Sequence, residues 1–182
     1  MEPVQERRKA KALSQKNKAL VVVDVQAGFL TEYTSRCLPR IYELLDSDEF
    51  SLVVATRFSN PAGSAFRTRI GWDGVATRDE IRLDSRVEQR ADVVVDKTTY
   101  GAGEELLDIF DEYGVSRATL VGIDTDVCVL HNAAYLFDHD VEVDVDLDGC
   151  ATNGGPEADA AAVNLMARTV GSRYITGRPG GH

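Results

Sequence analysis

An aspartate, a lysine and a cysteine each stand just beyond a short apolar run. Asp24 closes Ala19–Val23, Lys97 follows Val93–Asp96, and Cys128 lies six residues past Ala118–Gly122. Together they make a chemically complete set. A carboxylate can take the proton of a thiol, an ammonium can hold the resulting anion, and a thiolate attacks carbonyl carbon. Thr125 is placed to cap a helix running to about Asp138, which sets Cys128 in the first turn. There the positive end of the helix and its free N–H groups favour an anion, while Asp126 works against thiol ionisation. Taken singly, each residue also has an ordinary role. Asp24 would be a turn or cap residue, Lys97 a solvated strand end, and Cys128 a small core residue.

The three are 73 and 31 residues apart, so the fold must bring them together. The runs Ala19–Val23, Leu52–Ala55, Val93–Val95 and Ala118–Gly122 are apolar on both faces, as strands buried in a parallel sheet are. Helix-like stretches separate them. Leu38–Leu45, Glu104–Tyr113, Asp126–His139 and Ala158–Val170 carry apolar residues at helical spacing. This alternation predicts an α/β fold, a doubly wound parallel sheet with right-handed crossovers. Ligands of such sheets bind at the carboxyl ends of the strands, where Asp24, Lys97 and Cys128 would converge. A long interruption, residues 57–82, reads as a functional loop. Residues 141–148 alternate apolar and acidic, which predicts a strand covered on one side or one whose carboxylates meet solvent or arginine.

Composition narrows the classes. The chain has 182 residues and a net charge of −10, with 43% apolar residues. It is long enough for one domain with a real core. Residues 1–17 read as an N-terminal arm and 18–182 as a single domain. Residues 1–18 hold six basic groups, leaving 14 basic against 28 acidic in the body, which argues against a nucleic-acid or anionic-membrane partner. Lys97 is the only lysine of that body. No apolar run reaches a membrane span and the N-terminus lacks a signal core, so a cytoplasmic location is expected. Cys37, Cys128 and Cys150 match no zinc spacing and read as reduced thiols.

The segments Val21-Val22-Val23-Asp24-Val25-Gln26-Ala27-Gly28-Phe29-Leu30, Asp96-Lys97-Thr98-Thr99-Tyr100-Gly101 and Gly122-Ile123-Asp124-Thr125-Asp126-Val127-Cys128-Val129 resemble, in the same order, those of the isochorismatase-like cysteine hydrolases. That family includes nicotinamidases and N-carbamoylsarcosine amidohydrolase, and the resemblance spans roughly residues 18–176. It implies a three-layer α/β/α sandwich around a six-stranded parallel sheet, in dimers or tetramers. Asp24, Lys97 and Cys128 match its catalytic residues. Ile123–Asp124 matches its non-proline cis peptide, with the N–H groups of Asp124 and Cys128 as an oxyanion hole. Gln26 follows its Asp-x-Gln pattern as a supporting residue, and Asp148 matches an acidic residue after strand five.

The match fails at one place. Where nicotinamidases carry a metal-binding Asp and His, this chain has Phe58 and Asn60, and residues 57–82 contain no histidine. No metal and no cofactor are therefore expected. The expected activity is metal-independent hydrolysis of a C–N bond in a small amide, carbamoyl or ureido compound, through a thioester on Cys128. Vinyl-ether hydrolysis of the isochorismatase type and an idle oligomeric binding module are the alternatives. Candidate substrate contacts are Gln26, Phe29, Arg57, Asn60 and Tyr100, with Phe66 and Trp72 as either pocket or packing residues. Arg57 in the site would favour a substrate carboxylate by bidentate pairing.

Overall fold

A computed structural model describes residues 17–177. The expected arm therefore lies, but for Asn17, outside the described residues. Six strands form one all-parallel sheet: β1 (Lys18–Val23), β2 (Leu52–Phe58), β3 (Val93–Lys97), β4 (Arg117–Ile123), β5 (Glu142–Ala151) and β6 (Ile175–Thr176). Their spatial order is β3-β2-β1-β4-β5-β6. The order reverses between β1 and β4, and a crevice opens at the carboxyl ends of neighbours whose connections leave in opposite directions.

The helices are α1 (Leu38–Leu45), α2 (Arg78–Ile81), α3 (Ser85–Arg90), α4 (Gly103–Tyr113), α5 (Leu130–Asp138) and α6 (Gly155–Met166). β1 shows why both faces must be covered. Ala19, Val21 and Val23 enter one apolar cluster with Leu106 and Phe110 of α4, Leu136 of α5 and Met166 of α6. Leu20 and Val22 enter the other, with Ile41, Leu44 and Leu45 of α1 and Val87 of α3. Successive strand residues point to opposite faces, so a continuous apolar run needs a helix layer on each side. The three-layer α/β/α sandwich is the result. Among the described residues no helix is long and apolar enough to cross a membrane.

β4 passes so close to β1 that Gly122, at φ 129°, has no room for a side chain: an added Cβ would lie 2.1 Å from the Val23 carbonyl oxygen. Opposite, β5 bulges. Leu120 pairs with Val145 but Gly122 pairs with Cys150, so extra β5 residues loop out between them. The acidic alternation sits here. Asp144 meets Arg117 (3.0 Å) and Asp146 meets Arg40 of α1 (2.9 Å), the arginine outcome of the two the sequence left open. Asp148 lies inside β5 and not after it, because the bulge carries the strand on to Ala151.

Candidate active site

Asp24 leaves β1 in a left-handed conformation, φ 51°, which aspartate tolerates better than most residues. Thr56 of β2 holds it there. The Thr56 hydroxyl donates to Asp24 Oδ1 (2.7 Å) and accepts from the Asp24 N–H (3.1 Å). Gln26 locks the neighbouring strand end, its side-chain amide donating to the Phe58 (2.8 Å) and Ile81 (2.7 Å) carbonyls and accepting from the Phe58 N–H (2.7 Å). All its polar atoms face the scaffold, so Gln26 is a support and not the substrate contact it was also expected to be.

Lys97 ends β3, two strands away, and its long side chain crosses the rim over the Phe58 ring, 5.1 Å from the centroid. Its ammonium lies 2.7 Å from Asp24 Oδ2 and 4.0 Å from Cys128 Sγ, and donates to the Thr99 and Tyr100 carbonyls at 2.9 Å each. Asp24, Lys97 and Cys128 retain only 0%, 5% and 8% exposure. A buried ion pair survives only with such added partners, because desolvation costs each ion several kcal/mol. Asp24 Oδ2 is thus held by the Lys97 ammonium, with the Cys128 thiol close enough to feel its charge.

The Cys128 thiol is pushed well above the usual thiol range, first by burial and then by the charge of Asp24, while Lys97 pulls the other way. The turn carrying Cys128 differs from the expected one. Asp124 occupies the cap position without a side-chain cap bond, Thr125–Val129 form a wide π-type turn, and the regular helix α5 starts only at Leu130. Thr125 is buried and is not the cap. The peptide bond Ile123–Asp124 is cis. Asn132, one turn on, fixes the cysteine backbone by donating to the Cys128 carbonyl (2.8 Å) while accepting from the Ala102 N–H (2.8 Å).

A cavity of about 160 Å³ opens beside the thiol, lined by Phe29, Phe58, Phe66, Ile70, Trp72, Tyr100, Asp124, Val127 and Cys128. The aromatic rings pack on one another, Phe66 against Tyr100 at 4.8 Å and against Phe58 at 5.0 Å, and Trp72 stacked on Phe29 at 5.9 Å. Of the expected contacts, Phe29 and Tyr100 line this cavity, as do Phe66 and Trp72. Besides Gln26, two further candidates do not line this cavity. Arg57 points off the opposite face of β2 and forms a bidentate pair with Asp96 (2.6 and 2.9 Å). Asn60 ties the long loop together, donating to the Trp72 (2.9 Å) and Gly74 (3.0 Å) carbonyls and accepting from Ser64. Thr56, Asn132 and Asn153 were missed. Their threonine and asparagine types carry no distinctive signal until their partners are known.

Among the described residues no group of three His, Cys, Asp or Glu side chains is placed to hold a metal ion. At the two positions of interest Phe58 is buried under Lys97, and the Asn60 amide is committed to the loop. Neither side chain fits a metal-ligand role here.

A three-layer sandwich around a doubly wound parallel sheet, with an acid, a lysine and a thiol at its carboxyl rim, defines an α/β protein of the isochorismatase-like fold. The particular family follows from sequence: residues 18–176 match the Isochorismatase domain, and the chain belongs to that family. No curated protein matches the sequence. Among solved structures it is similar to the pyrazinamidase of Pyrococcus horikoshii in complex with zinc, at 24% identity and TM-score 0.74, over 87% of this chain and 97% of that one. PnC1 from L. infantum in complex with nicotinate superposes with TM-score 0.75 at 18% identity, over 90% and 97% of the two chains. An isochorismatase-like hydrolase from Alkaliphilus metalliredigens gives TM-score 0.74 at 18% identity, over 87% and 93%. At such identities the likeness concerns the fold.

Proposed function

We propose that the protein is a cysteine amidohydrolase that cleaves the C–N bond of a small amide through a thioester on Cys128, without a metal ion. The observation that carries this reading is the buried contact of Lys97 with both Asp24 Oδ2 (2.7 Å) and Cys128 Sγ (4.0 Å) at the wall of a cavity. Asp24 takes the thiol proton as sulfur bonds to the carbonyl carbon. Burial raises the thiol, so proton transfer to Asp24 accompanies attack; negative charge passes from the carboxylate through sulfur to the carbonyl oxygen, with the Lys97 ammonium alongside to stabilise it. Backbone N–H groups of Asp124 and Cys128 are the donors assigned to the tetrahedral oxyanion. Asp24 then gives its proton to the nitrogen as the C–N bond breaks, leaving a thioester. Water loses a proton to Asp24, adds to the thioester, and the departing sulfur recovers that proton as the acid is released.

The apolar walls favour a compact amide over a highly hydrated one. A cavity of roughly 150 Å³ is the size that admits a single six-membered ring. The test is ammonia release from a panel of primary amides, carbamoyl compounds and ureido compounds with a metal chelator present. Turnover by the wild type, with losses of at least about 10³-fold in Cys128→Ala and Lys97→Ala, is expected. Turnover retained by Cys128→Ala would contradict the thioester, and pyruvate release from isochorismate by that variant would establish the ether-hydrolase alternative.

A further inference from the structure

We propose that Asp124 sets the charge preference of the cavity, so that its occupant carries a neutral or cationic group and no carboxylate. The inference rests on the amidohydrolase reading for calling that occupant a substrate, and stands on separate observations for its charge. Asp124 lines the cavity together with Cys128. Its Oδ1 accepts from the backbone N–H (2.8 Å) and side-chain amide (3.1 Å) of Asn153, so its partners are dipoles and not cations. Asn153 in turn donates to the Phe29 carbonyl (3.0 Å) and accepts from the Thr31 hydroxyl (3.0 Å), which anchors the carboxylate to the loops after β1 and β5. Asp126, next along the turn, is held by the Thr152 hydroxyl (2.5 Å). Among the described residues neither aspartate has a lysine or arginine partner.

The cations closest to the thiol are committed elsewhere; in the turn that carries Phe66 and Ile70, Arg67 faces Asp73 (3.6 Å) and Arg69 is exposed. Lys97 is matched by Asp24, and Arg57, the group that would have welcomed a carboxylate, is matched by Asp96 on the far side of β2. Apart from Ile70 and Val127 the remaining walls are rings, and the faces of aromatic rings such as Phe29, Phe66, Trp72 and Tyr100 carry negative π density that attracts cations and repels anions. An aromatic box with one uncompensated carboxylate is a site for a neutral or positively charged amide. The N-terminal end of the turn and helix Thr125–Asp138 offsets part of the Asp124 charge without supplying a counter-ion.

The test needs no substrate. Cys128 is modified with 2-aminoethyl methanethiosulfonate, a cation, and 2-sulfonatoethyl methanethiosulfonate, an anion. Rates at the Cys128 peptide are followed by mass spectrometry, each divided by the rate of the same reagent with a free thiol. The normalised cation-to-anion ratio is expected to exceed about tenfold in the wild type and to fall several-fold in Asp124→Asn, which keeps the acceptor for Asn153. Asp126→Asn should lower it less. A wild-type ratio near one overturns the proposal even if the variant fails to fold, and so does a ratio unchanged by Asp124→Asn. Because the probes report on the thiol without turnover, failure of the charge preference and failure of amide hydrolysis are separate outcomes.

Discussion

Two acidic stretches of this chain look alike in sequence and are used differently. In β5, Asp144 faces Arg117 and Lys18, and Asp146 faces Arg40. In the turn after β4, Asp124 and Asp126 receive only N–H and O–H donors. The first pair of carboxylates is neutralised between helix and sheet; the second is left without a counter-ion among the described residues, with Asp124 at the wall of the cavity. A third arrangement, Asp24 with Lys97, is neutralised and fully buried beside the thiol. The number of acidic residues therefore says little about the local field. What matters is whether a guanidinium or ammonium is within reach, and that follows from strand register and helix packing.

Removing the buried cation has the largest expected effect. Lys97→Ala leaves Asp24 charged and without its counter-ion at 0% exposure, and should cost about 3–5 kcal/mol of stability in chemical denaturation. A loss under about 1 kcal/mol would mean that Asp24 is solvated or neutral in the folded protein.

The next effect has the opposite sign. Burial pushes the Asp124 carboxyl up to about 6, with Asp126 and Asp24 adding to it and the Asn153 donors opposing. The folded state therefore binds a proton at this site between about pH 4 and 6 that the unfolded chain does not hold, and stability falls as pH rises through that window. Asp124→Asn should accordingly stabilise the protein by roughly 1–2 kcal/mol at pH 8, and the gain should vanish near pH 4. The charge preference of the cavity should weaken as pH drops through about 6 for the same reason.

Smaller effects separate the neutralised pairs. Arg40→Ala leaves Asp146, 4% exposed, with little beyond the Asp148 N–H, and should cost on the order of 1 kcal/mol. Arg57→Ala breaks a pair whose carboxylate stays well solvated, and should cost less than about 1 kcal/mol and leave activity intact. A strong activity loss in Arg57→Ala would show that this side chain reaches the substrate after all.

Most of the scaffold was legible because apolar runs mark strands buried on both faces. The runs ending at Val23 and Gly122, and the helix Leu38–Leu45, stand where the pattern put them. The convergence of Asp24, Lys97 and Cys128 followed from the rule for strand ends and from the family resemblance. The substrate contacts were harder, and the end of β2 shows why. Phe58 pairs in register with Lys97, and Arg57 with Asp96. Partners in register share a face, so Phe58 joins the site side and Arg57 the other. Sequence alone does not supply that register, and an error of one residue exchanges an aromatic wall for an arginine. The loop of residues 57–82 hid its role for a different reason. Trp72 reaches the cavity because Asn60 holds the Trp72 and Gly74 carbonyls, and hydrogen bonds between side chain and loop backbone leave no periodicity to read. The β5 bulge was invisible too, since the alternation of residues 141–148 continues straight through it.

Whether Cys128 is a nucleophile served by Asp24 and Lys97 is decided by site-resolved alkylation of the native protein with iodoacetamide. Cys37 and Cys150 are buried at 0% and 1% exposure, while Cys128 borders the cavity. Modification of Cys128 is expected well ahead of the other two, at a rate that keeps climbing with pH through the usual thiol range and drops in Lys97→Ala. Equal, slow labelling of all three cysteines, unchanged by Lys97→Ala, would contradict it.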